Sequence, residues 1–415
     1  MCISHGDDRS NNVSKKAGSA SPQAATAADF LIASRQCEVR SLEYFLLMGR
    51  LVQSSGHLIH ELQRERGVTS LFLGSEGLRF ADERASIMVQ TNEQAHLFDQ
   101  ALHDIQHELI SHPVSSPLLG HIASALHGLG QLDGIRRQVE EQNITVSEAV
   151  DWFCNTIHQL ITVVCEAADT VVEPSIAGLL VALVQVMTGK EYCGQERAAG
   201  STGFARGCFD RALSRRMMHL VEAQDRCFDV FFDHAPEDSL ALWQQLRGHP
   251  REPEIDRMRQ IAVSVGPYKS LDPELAQRWF ALMTERMDAI KQIEDCVESA
   301  FHQRCVERYG EARRSLADQA SLLASLEQGV QSNRSILDLI QEQNRRLQQM
   351  SEELQSAKEA LEERRVQEKA VLLLMQHRKI DNDEAHRVLR KLAMDQGKRL
   401  PEVARALLAM ADVLN

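Results

Sequence analysis

Glu368–Asn415 reads EKAVLLLMQHRKIDNDEAHRVLRKLAMDQGKRLPEVARALLAMADVLN, and its punctuation divides it into three helices. Val371, Leu372, Leu374 and Met375 form an apolar stripe. Asp381-Asn382-Asp383-Glu384 then supplies a capping residue and acids for a first helical turn. Ala385, Val388, Leu389 and Leu392 recur at helical spacing. Gly397 ends that helix, and Leu400-Pro401-Glu402 opens a third with Pro near its first turn. Short amphipathic helices of this kind predict one small three-helix bundle. From Arg364 onward, Lys and Arg exceed Asp and Glu by four, whereas the whole chain carries −13, which leaves −17 on residues 1–363. A basic module on an acidic body predicts a tail that meets a polyanion.

The rest of the 415-residue chain is 43% hydrophobic but only 5% aromatic, and Gly and Pro are sparse, a balance that favours long helices over sheets. Residues 1–34 are rich in Ser, Ala, Asn and Asp and read as a disordered leader. Residues 35–310 are long amphipathic segments. Turn signals break them near Gly74–Gly77, His112–Pro117, Gln142–Thr145, Glu173–Pro174, His234–Glu237, His249–Pro253 and Gly266–Pro273. About eight helices separated in this way predict up-and-down packing as a double four-helix bundle. The nine cysteines are scattered without any C-x-x-C pair, which argues against a zinc ribbon or disulfide framework and fits a reducing cytoplasm. The N-terminus has no apolar core of a signal peptide, and Ile176–Met187 is too short to span a bilayer, so no membrane role is expected.

Residues 311–363 change character: Gln, Glu, Arg, Ser and Leu dominate. Ile340, Leu347, Leu354 and Leu361 repeat every seventh residue, with Ile336, Gln343, Met350, Ala357 and Arg364 in the paired register. This heptad pattern fits a helical, coiled-coil-like linker. It implies either a homodimer with a parallel coil or one long helix lying on the body in cis.

Within the body, Leu62-Gln63-Arg64-Glu65-Arg66-Gly67-Val68-Thr69-Ser70-Leu71-Phe72-Leu73-Gly74 is the most informative run. The stripe of Ser55, Leu58 and Leu62 continues to Arg66, Thr69 and Leu73, so Arg66 points where the apolar face points, and Arg64 points away. An arginine on a core stripe must be paired or must hold an anion, because a lone buried charge is costly. Gln195-Glu196-Arg197-Ala198-Ala199-Gly200-Ser201 echoes the motif, with a Ser four residues after the Arg in both, and Arg197 likewise continues an apolar stripe. The two together suggest a duplication.

Other constellations carry less. Asp383-Glu384-Ala385-His386 spells a helicase box, but Gly189-Lys190 and Gly397-Lys398 are followed by Glu191 and Arg399, and neither is a phosphate loop. His103 and His107 stand at i and i+4 beside the ordinary stripe of Phe98, Leu102, Ile105 and Leu109, with Asp104 where a metalloprotease has its Glu. No catalytic set and no metal site emerge, and no cofactor is expected.

Two resemblances join these observations. The run A-x-x-L-L-M, D-E-A-H-R-x-L-R-x-x-A-M-D, K-R-L-x-E-V-A, from Lys369 to about Met410, resembles the ANTAR domain, the RNA-binding output of bacterial antiterminators. The Q-x-E-R-G-x-x-S-x-x-L-G run and the later Q-E-R-A, from about Arg40 to Arg304, resemble the NIT domain, a nitrate- and nitrite-sensing module. The order of the modules implies residues 35–310 as sensor, 311–363 as linker and 364–415 as RNA-binding domain. It implies nitrate or nitrite as ligand and promotion of antitermination at nitrate assimilation genes through a leader RNA with paired stem-loops. In the NIT family two arginines from separated helical regions bracket the anion. The first matches Arg66 or, in the same run, Arg64; for the second the candidates are Arg251 and Arg197. Guanidinium suits nitrate because both are flat and delocalised. For RNA the available groups are Lys369, Arg378, His386, Arg387, Arg390, Lys391, Lys398 and Arg399, with Arg390 and Lys391 foremost. No Phe, Tyr or Trp lies in this tail, so base stacking on those rings is excluded. The alternatives are a ligand-responsive helical regulator that binds DNA and an enzyme built on the bundle.

Overall fold

The computed structural model describes residues 26–108, 115–169, 171, 173–264, 271–272, 274–327, 332–378 and 382–414, and among them it is all-α. The body comprises α1 (Ala27–Gly74), α2 (Ala81–Glu108), α3 (Ser116–Leu129), α4 (Leu132–Glu140), α5 (Val146–Asp169), α6 (Pro174–Ala205), α7 (Arg211–His234), α8 (Glu237–Gly248), α9 (Arg251–Ser264) and the start of α10 (Glu274–Glu327). Then follow α11 (Ser332–Arg378), α12 (Asn382–Gln396) and α13 (Leu400–Leu414).

Among the described residues the body therefore has ten helices where about eight were expected. The two unforeseen breaks, at Gly130 and at Arg206–Asp210, lack proline. Gly207 turns the second with φ of 67°, and Asp210 caps α7 by accepting from the backbone N–H groups of Ala212 and Leu213. The leader also ends earlier than its composition implied. Thr26 and Asp29 form a reciprocal capping box, so residues 27–34 are the first turns of α1. Residues 1–25 lie outside the described residues.

The ten helices repeat in order. In α1–α5 and again in α6–α10, a long helix is followed by a second, by two short ones and by a return helix. The repetition extends to bonding. Arg136 of α4 grips Glu65 of α1 with Nε and Nη2 at 2.7 and 2.8 Å. Arg259 of α9 grips Glu196 of α6 in the same way, at 2.7 and 2.8 Å. Ala149-x-x-Trp152-Phe153 opens α5, and Ala276-x-x-Trp279-Phe280 opens α10. The weak Glu-Arg echo in the sequence thus marks a duplicated five-helix unit.

At the centre lies α6, packed by α7 and α10 along most of its length and also by α1, α5, α9 and α11. A helix covered on every side must be apolar on every side, and residues from Ile176 to Phe204 are buried around its whole circumference. It is the one described helix long and apolar enough to cross a bilayer, but 83% of that window is buried inside the bundle. Its length, 32 residues, exceeds the Ile176–Met187 run because Gly, Glu and Arg continue the helix beyond it.

The long helices ignore the boundaries read from composition. The body–linker transition falls inside α10, and the linker–tail transition inside α11. Part of the heptad face of α11 is used in cis. Ile340 packs on Ala28 and Leu31, Leu354 joins the main core, and the buried Gln343 donates to Ser34 Oγ at 2.6 Å. Arg346 pairs with Glu38 at 2.9 Å, and Leu347 remains exposed. The polar Gln343 in the heptad register is thus explained by a polar partner on α1. Met350 faces the same α1 segment across a cavity of about 240 Å³. The side chains of Ile336, Ala357, Leu361 and Arg364 lie outside the described residues.

The buried bidentate pairs fasten each short helix to its long one. Glu65→Ala leaves Arg136, whose side chain is only 6% exposed, without its carboxylate. Breaking a buried pair by removing one partner costs about 3–5 kcal/mol. Urea unfolding of this variant is expected to show a loss on that scale.

Candidate anion site and nucleic-acid interface

The site lies where α1 and α6 meet. Arg66 and Arg197, the two arginines of the duplicated motif, are 1% and 3% exposed. Each guanidinium lies against the backbone of the other's helix. A Cβ at Gly194 would collide with Arg66 Nη2, and a Cβ at Gly67 would collide with Arg197 Nη2. The absence of a side chain at both positions is what lets the guanidinium groups enter.

Their partners differ. Arg66 Nη1 donates to Glu191 Oε1 at 2.5 Å and to Cys154 Sγ at 2.9 Å. Its Nη2 is buried with no hydrogen-bond partner. Burial opposes the Arg66 charge, but Cys154 and Glu191 outweigh it and hold the pKa above the ordinary arginine value. The Cys154 thiol is pushed up to about 11 by burial, so it stays protonated. Arg197 has only neutral partners at hydrogen-bond range: Nη1 donates to Thr284 Oγ1 at 2.9 Å and Nη2 to the Gln63 carbonyl at 3.0 Å. Its guanidinium carbon stands 4.7 Å from the Phe280 ring centroid. Burial, with Arg66 beside it, brings the Arg197 pKa down to about 10, so it still carries its charge at neutral pH. Around this pair, Gln63 and Gln195 both donate to Glu191 at 2.9 Å, and Trp279 Nε1 donates to the Arg197 carbonyl at 3.0 Å. The arrangement presents two fixed cationic donors in a low-dielectric setting, which suits a small delocalised anion.

The tail forms its own core. Val366, Ala370, Val371 and Leu374 of α11 meet Ala385, Leu389 and Ala393 of α12 and Val403 and Ala404 of α13. Gly397 closes α12 with φ of 60°, as its position implied. One face of α12 turns to the body. Arg390 Nη1 bonds Glu222 Oε2 of α7 at 2.6 Å, and the His386 and His219 ring centroids are 5.5 Å apart. Burial lowers the Arg390 pKa, and Tyr192 of α6 opposes that shift.

Residues 57–302 match the family described as nitrate and nitrite sensing, and residues 355–408 match the ANTAR domain. The nitrate regulatory protein of Klebsiella oxytoca is 33% identical over 387 residues, covering 92% of this chain and 94% of that protein. The solved structure of the NasR transcription antiterminator aligns with a TM-score of 0.61 at 32% identity, over 93% of this chain and 99% of that one. The chain belongs to the family of nitrate-responsive ANTAR antiterminators.

Of the candidate sensor arginines, the structure brings Arg66 and Arg197 together. Arg64 points outward, as its register implied, and bonds Glu61 at 2.8 Å and Gln90 at 2.5 Å. Arg251, at the first turn of α9, sits 3.6 Å from Glu285 and 4.0 Å from Glu252. Arg64 is thus held by α1 and α2, and the carboxylates nearest Arg251 are those of Glu285 and Glu252. Among the RNA candidates, Lys369, Arg378, Arg387, Lys391, Lys398 and Arg399 are exposed, and His386 and Arg390 are half-buried against the sensor. Arg387 pairs with Glu384 on its own helix, and Arg399 stands 3.9 Å from Glu363. His103 is exposed, Asp104 pairs with Arg50 at 3.6 Å, and the His107 side chain lies outside the described residues.

Sequence reasoning missed Glu191, Cys154 and Thr284 as parts of the site. A signal for Glu191 existed. Lys190, Glu191 and Glu196 are charges inside a helix whose long apolar run marks it for burial, and each must find a buried partner. Lys190 finds Glu294 at 2.7 Å. Which partner each would choose depends on helix crossings that the sequence does not display.

Proposed function

We propose that the chain is a one-component regulator in which nitrate or nitrite binds between Arg66 and Arg197 and frees the ANTAR module to act on RNA. The observation that carries this reading is the buried Arg197. It faces Arg66 and is held only by neutral groups, while Arg66 keeps a second edge without a partner. Two like charges buried side by side favour whatever anion can bridge them.

The output follows from the face of α12. His386 and Arg390, two of the RNA candidates, are engaged by α7. That helix packs along α6, which carries Arg197 on the ligand side and Tyr192 near Arg390. A ligand that draws α1 and α6 together shifts the surface on which α12 rests. The exposed cations Arg387, Lys391, Lys398 and Arg399, with Arg390 once released, then meet the phosphates of a leader RNA with paired stem-loops, in the cytoplasm. The protein acts by binding rather than by catalysis, and it acts as a homodimer joined through α11.

Calorimetric titration with nitrate tests the sensor. Arg66→Ala, Arg66→Lys and Arg197→Ala are each expected to weaken binding about tenfold to a hundredfold, the scale of a charge-assisted hydrogen bond of about 1.5–3 kcal/mol. Lysine fails because it keeps the charge but loses the fork. Wild-type affinity in a folded Arg66→Ala protein would place the anion elsewhere.

In a purified transcription assay, Arg390→Ala combined with Lys391→Ala is expected to abolish antitermination while nitrate binding persists. RNA affinity should fall steeply with salt, by roughly 0.7–0.9 in log–log slope per phosphate contact. Full antitermination by the double variant would refute this surface.

Light scattering at micromolar concentration is expected to give twice the 46.6 kDa chain mass. A monomer unchanged by nitrate and RNA would remove the dimer from the mechanism.

A further inference from the structure

Several of the formal charges buried in the sensor come in opposite-charge pairs. Glu65 is answered by Arg136, Glu196 by Arg259, Lys190 by Glu294, and Glu252 lies 3.6 Å from Arg286. At the α1–α6 contact the count differs: two guanidinium groups face one carboxylate, Glu191. Asp288 acts on Arg197 only at longer range, from an exposed position. Arg66, Arg197 and Glu191 together therefore carry a net charge of +1.

Glu191 also binds its arginine in a way that the glutamates of the repeated Glu-Arg dipeptide do not. Glu65 and Glu196 each take two nitrogens of their arginine. Glu191 takes only Nη1 of Arg66, and its remaining capacity goes to Gln195 on Oε1 and Gln63 on Oε2. The glutamines hold the carboxylate to one edge of the guanidinium, so Nη2 faces Gly194 without a partner.

From this geometry we infer that Glu191 is a built-in counter-anion that sets the charge of the ligand: it cancels one of the two guanidinium charges and makes the site selective for singly charged anions. The inference rests on the reading of Arg66 and Arg197 as the anion site. A monovalent oxyanion brings the buried charge to zero. A divalent one of similar size leaves a buried excess of −1, which the low-dielectric contact disfavours. Nitrate and nitrite satisfy this condition by charge, and sulfate does not.

The test is calorimetric titration of the full-length protein with nitrate, perchlorate and sulfate, for wild type, Glu191→Gln, Glu191→Asp and Arg66→Ala. Perchlorate and sulfate share a tetrahedral shape and differ in charge. Wild type is expected to bind nitrate and perchlorate at least tenfold more tightly than sulfate. Glu191→Gln, which keeps the shape and removes the charge, should tighten sulfate binding at least tenfold and so narrow or invert the preference. Glu191→Asp should keep the wild-type order. A Glu191→Gln protein that melts normally and retains the wild-type nitrate-to-sulfate ratio overturns the inference. If that variant does not fold, wild type decides alone: equal binding of perchlorate and sulfate, or of neither, overturns charge as the discriminator. Loss of nitrate binding in Arg66→Ala together with unchanged selectivity in Glu191→Gln defeats only the role of Glu191. Retained nitrate binding in Arg66→Ala defeats the site itself.

Discussion

A charge taken out of water into a helical bundle must meet an opposite charge, and that constraint organises the sensor around the contact of α1 and α6. Lys190, Glu191, Glu196 and Arg197 all lie on the most buried helix of the chain. Each requires a partner on a neighbouring element, and these partners lie on α1, α9 and α10. The polar network thereby restrains the crossings that apolar packing alone would leave free to slide. Hydrophobic burial supplies the driving force of folding, but the ion pairs specify the register in which the helices meet. Arg197 stands apart because its partners at hydrogen-bond range are uncharged.

Duplication explains why two such arginines meet. Each five-helix unit offers the same Glu-Arg dipeptide on its first long helix. In each unit the glutamate is consumed within the unit, by Arg136 in one case and Arg259 in the other. The adjoining arginine points out of its unit towards the other. When two such units pack through their first helices, the arginines converge, and glycines at 67 and 194 give them room. The contact of Arg66 with Arg197 is thus a property of the interface between repeats, and neither repeat could form it alone.

The same helix links the sensor to the tail. α6 carries Glu191 and Arg197 on the side that meets α1, and Tyr192 acts on Arg390 of α12. α7 packs along α6 and holds α12 through Glu222. One layer of helices therefore separates the contact of Arg66 and Arg197 from the face of α12 that rests on α7. The ion pair between Glu222 and Arg390 is partly exposed, with side chains 59% and 24% accessible. Pairs of that kind contribute only about 0–1 kcal/mol, which suits a contact meant to be released.

Much was legible without coordinates. Helical periodicity and sparse aromatics gave the all-α class, because the spacing of apolar residues is a local property of the chain. Capping residues and glycines placed most helix ends for the same reason, and the breaks at Gly130 and Gly207 escaped because single glycines within apolar segments give only a weak stop signal. The apolar register of Arg66 already required a buried partner, and the basic tail already required a polyanion. Three-dimensional packing decided the rest. The heptads of α11 serve in part to bind α1 in cis, a choice between partners that an amphipathic stripe cannot express. Arg251 and Arg197 were both open as the second arginine in the sequence, and only the crossing of α1 and α6 set Arg197 beside Arg66. Sequence states which residues cannot be buried alone, since that depends on the chemistry of one side chain. Tertiary structure states which residue answers them, since that depends on where two distant helices touch.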